Sequence, residues 1–160
     1  MDANIIWKIL LVLQPFAGTF IVNALGGNLS EKNRIWYSKL KQSPLTPPPI
    51  VFPIAWTILY LLIGLSAMFY LEHPTFLTQY FGPYEVQLLL NFLWSVVFFK
   101  LQKPLIALII NFIMIGLTAY LLWVSWKNSM ISFWLLVPYA LWITFAFYLN
   151  FYIVIKSKTR

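Results

Sequence analysis

Few residues in this chain have side chains suited to catalysis. There is no cysteine, one histidine (His73), and four acidic residues, Asp2, Glu31, Glu72 and Glu85. Without cysteine there are no disulfides, thiol nucleophiles or thiolate metal sites. The rest are spaced so as to form no acid–base pair, metal-ligating cluster or activated nucleophile. His73 stands beside Pro74 in a polar stretch and reads as a solvated loop histidine. What remains is aromatic surface and uncharged amides, concentrated in three stripes. These are Pro49, Pro53, Trp56 and Tyr60; then Gln87, Asn91, Trp94 and Phe98; then Tyr139, Trp142, Ala146 and Asn150. Each stripe occupies one face of a helix. Aromatic walls carrying a few hydrogen-bonding groups suit a flat, mostly apolar ligand. The same stripes also suit plain helix packing, with buried amides as interhelical glue worth about 0.6 to 2 kcal/mol. Asn91 lies near the middle of its segment, where an unpaired amide is costly, so it must face the bundle interior. Ala146, one turn from Trp142, leaves room beside the indole. Pro53 and Pro138 should kink or open their helices. Gln14, Asn23 and Asn111 read as glue.

The elements that position these stripes follow from composition. Hydrophobic residues make up 61% of the 160 and charged residues only 9%, against about 25% charged in soluble domains. So few charges cannot cover a water-facing surface, and the exterior must face lipid. A spanning helix needs about 20 mostly apolar residues. Five segments qualify: Ile5 to Gly27, Pro48 to Leu71, Pro83 to Phe99, Pro104 to Trp126, and Met130 to Ile155. Prolines 48, 83 and 104 are placed at helix starts, where a missing N–H costs nothing. The first segment lacks a basic n-region and a small-x-small cleavage site, so it reads as a span rather than a signal peptide.

Charge gives an independent check. With five spans, one side holds Lys32, Arg34, Lys39, Lys41, Lys100, Lys103, Lys156, Lys158 and Arg160, and the other holds only Lys8 and Lys127. The basic side is cytoplasmic by the positive-inside rule. The expected fold is therefore all-α: one domain, an integral membrane bundle of five transmembrane helices, N-terminus outside and C-terminus cytoplasmic. The net charge of +7 is spent on topology and on contacts to anionic lipid headgroups, not on nucleic acid. No carboxylate falls inside a long apolar run, which weighs against a proton-coupled carrier. Trp7, Trp36, Trp123, Trp126 and Trp134 fit an interfacial belt. Trp94 and Trp142 do not, and Trp56 is intermediate. Gly18, Gly64, Gly116 and Ala119 permit close helix approach, within the bundle or across a homodimer seam.

The first loop, residues 28–47, is long, polar and basic. It ends in a stiff proline run, Ser43-Pro44-Leu45-Thr46-Pro47-Pro48-Pro49. Arg34-Ile35-Trp36-Tyr37-Ser38-Lys39-Leu40 alternates basic with aromatic residues. It suits either a short helix in the headgroup layer or a lid over the bundle mouth, with Trp36, Lys39, Lys41, Pro44 and Pro47 as lid residues.

These residues also carry a resemblance. Trp36-Tyr37-Ser38-Lys39-Leu40 with Pro44, Pro47-Pro48, Trp56 and Tyr60 resembles the signature of the TspO/MBR (translocator protein) family. Gln87 through Ser95 is similar to its third-helix motif, and Pro138 through Ala146 with Leu149-Asn150 is similar to its fifth-helix motif. The resemblance implies a five-helix membrane fold and homodimers. It implies binding of protoporphyrin-type tetrapyrroles and drug-like aromatic ligands near the cytoplasmic face. Tyr37, Trp56, Asn91, Trp142 and Ala146 fall on its pocket positions, and Trp94 and Phe145 lie in the same motifs. The porphyrin would be ligand or substrate, with no other cofactor and no metal. One departure is Ser43, where the family often carries a basic residue; Lys39 and Lys41 are the nearest substitutes.

Three functions compete. A binding protein would stack the ligand on Trp56 and Trp142, donate hydrogen bonds from Asn91 and Tyr37, and close the first loop. An enzyme would degrade porphyrin with light and oxygen, using Trp56 and Trp142 as its reactive groups and borrowing the ligand's photochemistry. A transporter would need access from both sides, and neither an inverted repeat nor an intramembrane ionisable group supports one. The expected home is a bacterial plasma membrane.

Overall fold

The computed structural model describes residues 3–24 and 31–158. Among them are six α-helices and no strand: α1 (Ala3–Ala24), α2 (Glu31–Ser38), α3 (Val51–Tyr70), α4 (Phe81–Ser95), α5 (Pro104–Asn128) and α6 (Met130–Lys158). Two π-helical stretches, Phe76–Tyr80 and Val96–Lys100, extend α4 at its two ends. Near-continuous apolar sequence makes helices here because lipid offers no partner for a free backbone group, and a helix satisfies each group within itself. Segments Val51–Tyr70, Pro104–Asn128 and Met130–Lys156 are each long and apolar enough to cross a membrane, and α1 carries a shorter apolar stretch, Asn4–Gly18. The side chain of Asn23, the expected span end at Gly27 and the terminal Arg160 lie outside the described residues.

Prolines account for two differences from the expected boundaries. Helix α3 begins at Val51 rather than Pro48, so Pro53 falls in its first turn, where a missing N–H breaks no bond. The kink expected there has no cause. Pro83 does not start its helix. The chain is already helical from Phe76, and the N–H of Phe81 reaches back five residues to the Phe76 carbonyl. Pro83 cannot donate to the carbonyl of residue 79, and the wider π spacing lies immediately before this gap in the ladder. Pro104 does open α5, as its position predicts.

The five long helices close into a ring. Helix α1 packs on α3, α3 on α6, α6 on α5, α5 on α4, and α4 back on α1. Gly64 brings α3 against α1, with the Val12 backbone 2.7 Å from where a Cβ would stand. Gly18 lies over the Phe92 ring. Gly116 and Ala119, by contrast, face outward. So do many large apolar side chains, including Phe112 and Leu141, each about two-thirds exposed. In a membrane protein those faces meet acyl chains.

Polar pairs tie the ring internally. Gln14 Nε2 of α1 donates to Glu85 Oε2 of α4 at 2.6 Å. Glu85 thus sits well inside a helical stretch that starts at Phe76, against a partner on α1. A helix starting at Pro83 would have left it at the edge. Asn150 turns toward α5; with its amide oriented to match its neighbours, Nδ2 donates to the Pro104 carbonyl at 3.1 Å and Oδ1 accepts from the Leu108 N–H at 3.0 Å. It therefore leaves the stripe it shares with Trp142 and acts as a clamp between helices.

Outside the ring, Lys8 Nζ meets Glu72 Oε1 at 2.5 Å. The hydrogen bond and charge of Lys8 hold the Glu72 carboxyl below its usual value of 4.5. A depressed carboxyl pKa stabilises the fold above the unfolded value, and the contribution is lost as pH falls through the folded value. In a pH titration by NMR, the Glu72 carboxyl is expected to titrate below the free-acid range and to move back up in Lys8→Gln. An unchanged midpoint in that variant would show the pair does not persist in solution.

Candidate functional site

The centre of the ring is filled by aromatic rings around a hydrogen-bonded ladder. The Tyr60 hydroxyl of α3 donates to Asn91 Oδ1 of α4 at 3.0 Å. Asn91 Nδ2 donates to the Tyr139 hydroxyl of α6 at 3.3 Å. Gln87 Nε2 donates to the same hydroxyl. Helix α4 stands across the ring from the adjacent pair α3 and α6, so this ladder crosses the interior rather than stitching neighbours. Gln87, Asn91 and Tyr139 are all buried. The spacing of the two amides on α4, i and i+4, puts both toward one phenol.

Against the ladder stands an aromatic box. Trp56 lies 5.3 Å from Tyr60, 6.5 Å from Tyr139 and 6.5 Å from Trp142, the two indoles meeting edge to face at 84°. Phe52 and Phe145 each approach Trp142 at 6.0 Å. Such offset and edge contacts contribute about 0.5–1.5 kcal/mol per pair beyond burial. Ala146 is half-buried one turn beyond Trp142.

A second cluster adjoins it one turn along α4. Trp94 stacks on Phe98 at 5.1 Å and 14°, and Phe98 and Phe99 carry Trp36 and Tyr37 of the loop helix at 5.5 to 6.0 Å. Tyr37 therefore rests on the π-helical end of α4, not on Trp56. Its burial raises the phenol pKa further above neutral. Trp36, expected in the interfacial belt, has one side of its ring covered by Phe98. Trp7, Trp123, Trp126 and Trp134 are exposed, as a belt requires. Two buried polar atoms near the ladder have no partner among the described residues: Trp94 Nε1 and Gln87 Oε1.

The loop forms a short helix, and it is bonded down onto the bundle. Ser43 is buried; its hydroxyl lies 3.0 Å from that of Tyr148 on α6 and accepts from the Leu45 N–H at 3.1 Å. A basic residue at position 43 would lose both bonds, so Ser43, the departure from the family pattern, is a loop pin. Lys39, Lys41 and Pro44 are exposed and Pro47 is half-buried; none of them enters the aromatic box. Ser43→Ala is expected to cost about 1 kcal/mol, the net worth of such a bond, and to speed proteolysis between residues 39 and 50. Cleavage at the wild-type rate would remove the pin.

The sequence has relatives among known proteins. The sequence profile of the TspO/MBR family matches residues 5–155. The chain belongs to this family. It is 35% identical over 156 residues to the "Tryptophan-rich protein TspO" of Archaeoglobus fulgidus, covering 96% of this chain and 97% of that one. It is 37% identical over 118 residues to the "Tryptophan-rich sensory protein" of Cereibacter sphaeroides, covering 72% and 73%. The "Translocator protein homolog" of Schizosaccharomyces pombe is 35% identical over 150 residues, covering 90% and 87%. This TspO/MBR protein is thus a tryptophan-rich membrane protein whose ring interior holds the aromatic box and the ladder.

Two contributors were hard to see in sequence. Tyr139 was visible on its stripe but not as the acceptor joining two amides. Phe52, beside Pro53, had no helical signal of its own and gains its place only by facing Trp142.

Proposed function

We propose that this TspO/MBR protein binds porphyrins of the protoporphyrin type, and drug-like aromatic ligands, between the aromatic box and the loop helix. The observation that carries this reading is the pair of buried, unpartnered atoms, Trp94 Nε1 and Gln87 Oε1, on the helix that faces the aromatic box. Buried polar atoms are nearly always paired, and a flat ligand with both acceptors and N–H groups would pair these two. Trp56 and Trp142 supply the stacking faces, Asn91 and Tyr37 hydrogen bonds, and Phe145 and Ala146 the wall beyond. Trp36, Lys39, Lys41, Pro44 and Pro47 belong to the covering loop. In this reading five helices span a bacterial plasma membrane, with the N-terminus outside and the basic loops cytoplasmic. A homodimer would have the outward-facing Gly116 and Ala119 available for close packing.

A titration of purified protein with protoporphyrin IX in the dark, followed by tryptophan fluorescence, tests the reading. Saturable quenching is expected, weakened roughly tenfold or more in Trp142→Phe and Asn91→Ala, as loss of about 1.4 kcal/mol implies. Non-saturable quenching, equal in all three proteins, would mean partitioning into micelles and would sink it. The contact between Trp56 and Trp142 also favours a second reading, light- and oxygen-dependent porphyrin breakdown. Trp56→Phe and Trp142→Phe would then keep the porphyrin spectrum under illumination while wild type loses it. Equal loss in all would discard that role.

A further inference from the structure

Away from the aromatic box, a groove of about 500 Å³ runs along the outer face of the loop helix, lined by Glu31, Lys32, Ile35, Trp36, Lys39 and Gln102. Its floor is apolar and its rim is cationic. Lys32 and Lys39 are exposed and form no ion pair among the described residues. Lys100 and Lys103 flank Gln102 in sequence and are exposed too. Glu31 is the one acid in the lining.

Gln102 has φ 56°, the left-handed region. The N–H groups of Leu101 and Lys103 bond the Val96 and Val97 carbonyls around it. This tight helix stop usually takes glycine or asparagine. It turns residues 101–103 across the end of α4, so the lysines on both sides of Gln102 stand at one end of the bundle.

We propose that this groove is a specific seat for an anionic phospholipid, separate from the aromatic box. Lys32 and Lys39 take the phosphate, Gln102 offers its amide to the headgroup, and Ile35 lies along the upper acyl chain. A lipid fits better than a soluble anion because the apolar surface continues outward. Ile35, Leu101 and Leu105 are about half exposed; Ile35 is on the loop helix, which packs on the π-helical end of α4, and Leu101 and Leu105 follow that end in sequence. Trp36 joins the groove to the interior, since its ring also packs on Phe98, so an occupied groove would hold the loop helix on the bundle.

Native mass spectrometry of the full-length protein in detergent, titrated with phosphatidylglycerol or phosphatidylcholine, tests the seat. One tight phosphatidylglycerol and weaker phosphatidylcholine are expected. Lys32→Gln with Lys39→Gln should weaken phosphatidylglycerol roughly tenfold to thirtyfold, each lysine contributing about threefold to fivefold near an anionic lipid. Ile35→Asp should weaken it as well, and it answers alone if the double variant fails to fold. Lys127→Gln, at the far end of α5 and over Trp123, should change nothing. Equal affinity in the double variant and wild type, equal binding of both lipids, or displacement of the lipid by inorganic phosphate alone would overturn the proposal. None of these readouts involves porphyrin.

Discussion

Gly64→Val is expected to cost the bundle about 3 kcal/mol or more, at or beyond the upper end for overpacking a core. A Cβ at Gly64 would stand 2.7 Å from Val12 Cα and 2.9 Å from the Leu11 and Val12 carbonyl oxygens. These are backbone atoms of a helix and cannot swing aside. The α1–α3 seam would have to open, and α1 would lose its seat between α3 and α4. Gly18 makes a contrast. There the obstacle is the end of the Phe92 side chain, which can rotate, so Gly18→Ala should cost less. Gly116 has nothing within 4 Å of its Cβ position, so Gly116→Val should be close to neutral within one protomer. Thermal unfolding in detergent should rank the variants in that order. A Gly64→Val protein as stable as Gly116→Val would mean that α1 does not pack on α3 through this face.

The second large effect is expected at Tyr139. Tyr139→Phe removes one oxygen and strands two buried donors, Gln87 Nε2 and Asn91 Nδ2. Leaving a buried donor unpaired costs about 1–3 kcal/mol in water-soluble proteins, and membrane interiors give values toward the low end. A loss of about 2 kcal/mol is therefore expected for the pair. Asn91 would also be free to turn away from Tyr60, loosening the wall under Trp56. Tyr152→Phe is the control, because Tyr152 touches Lys156 on the rim and carries no ladder bond. If both variants melt together, the ladder does not hold α4 and α6 across the ring interior. Porphyrin affinity measured in the same variants separates the two roles of Tyr139. A stability loss with unchanged affinity would make it a strut alone.

The amides and indoles of the candidate site were legible because helical spacing puts them on one face. A buried amide is tolerated only where it finds a partner, so the sequence by itself points Asn91 inward. Asn150 obeys the same rule and still misleads. Its spacing matches Trp142, but a long helix touches two neighbours, and only packing decides which neighbour a boundary residue meets. Glu85 misleads for another reason. Proline normally marks a helix start, and the π-helical stretch before Pro83 carries no signature in a single sequence.

Composition alone determined that this chain belongs in a membrane and is helical, since few charges and long apolar runs leave no other way to satisfy the backbone in lipid. Residue types and order determined the family. Tertiary structure decided what depends on several helices at once. The ring order sets α4 across the interior from α3 and α6, so Asn91 meets both Tyr60 and Tyr139 although α4 packs alongside neither of their helices. It also decided that Tyr37 and Trp94 form one cluster and Trp56 and Trp142 another, and that Ser43 fastens the loop to Tyr148, 105 residues away. Periodicity is a property of one helix, whereas such contacts are set by how five helices share one interior, which no single helix encodes.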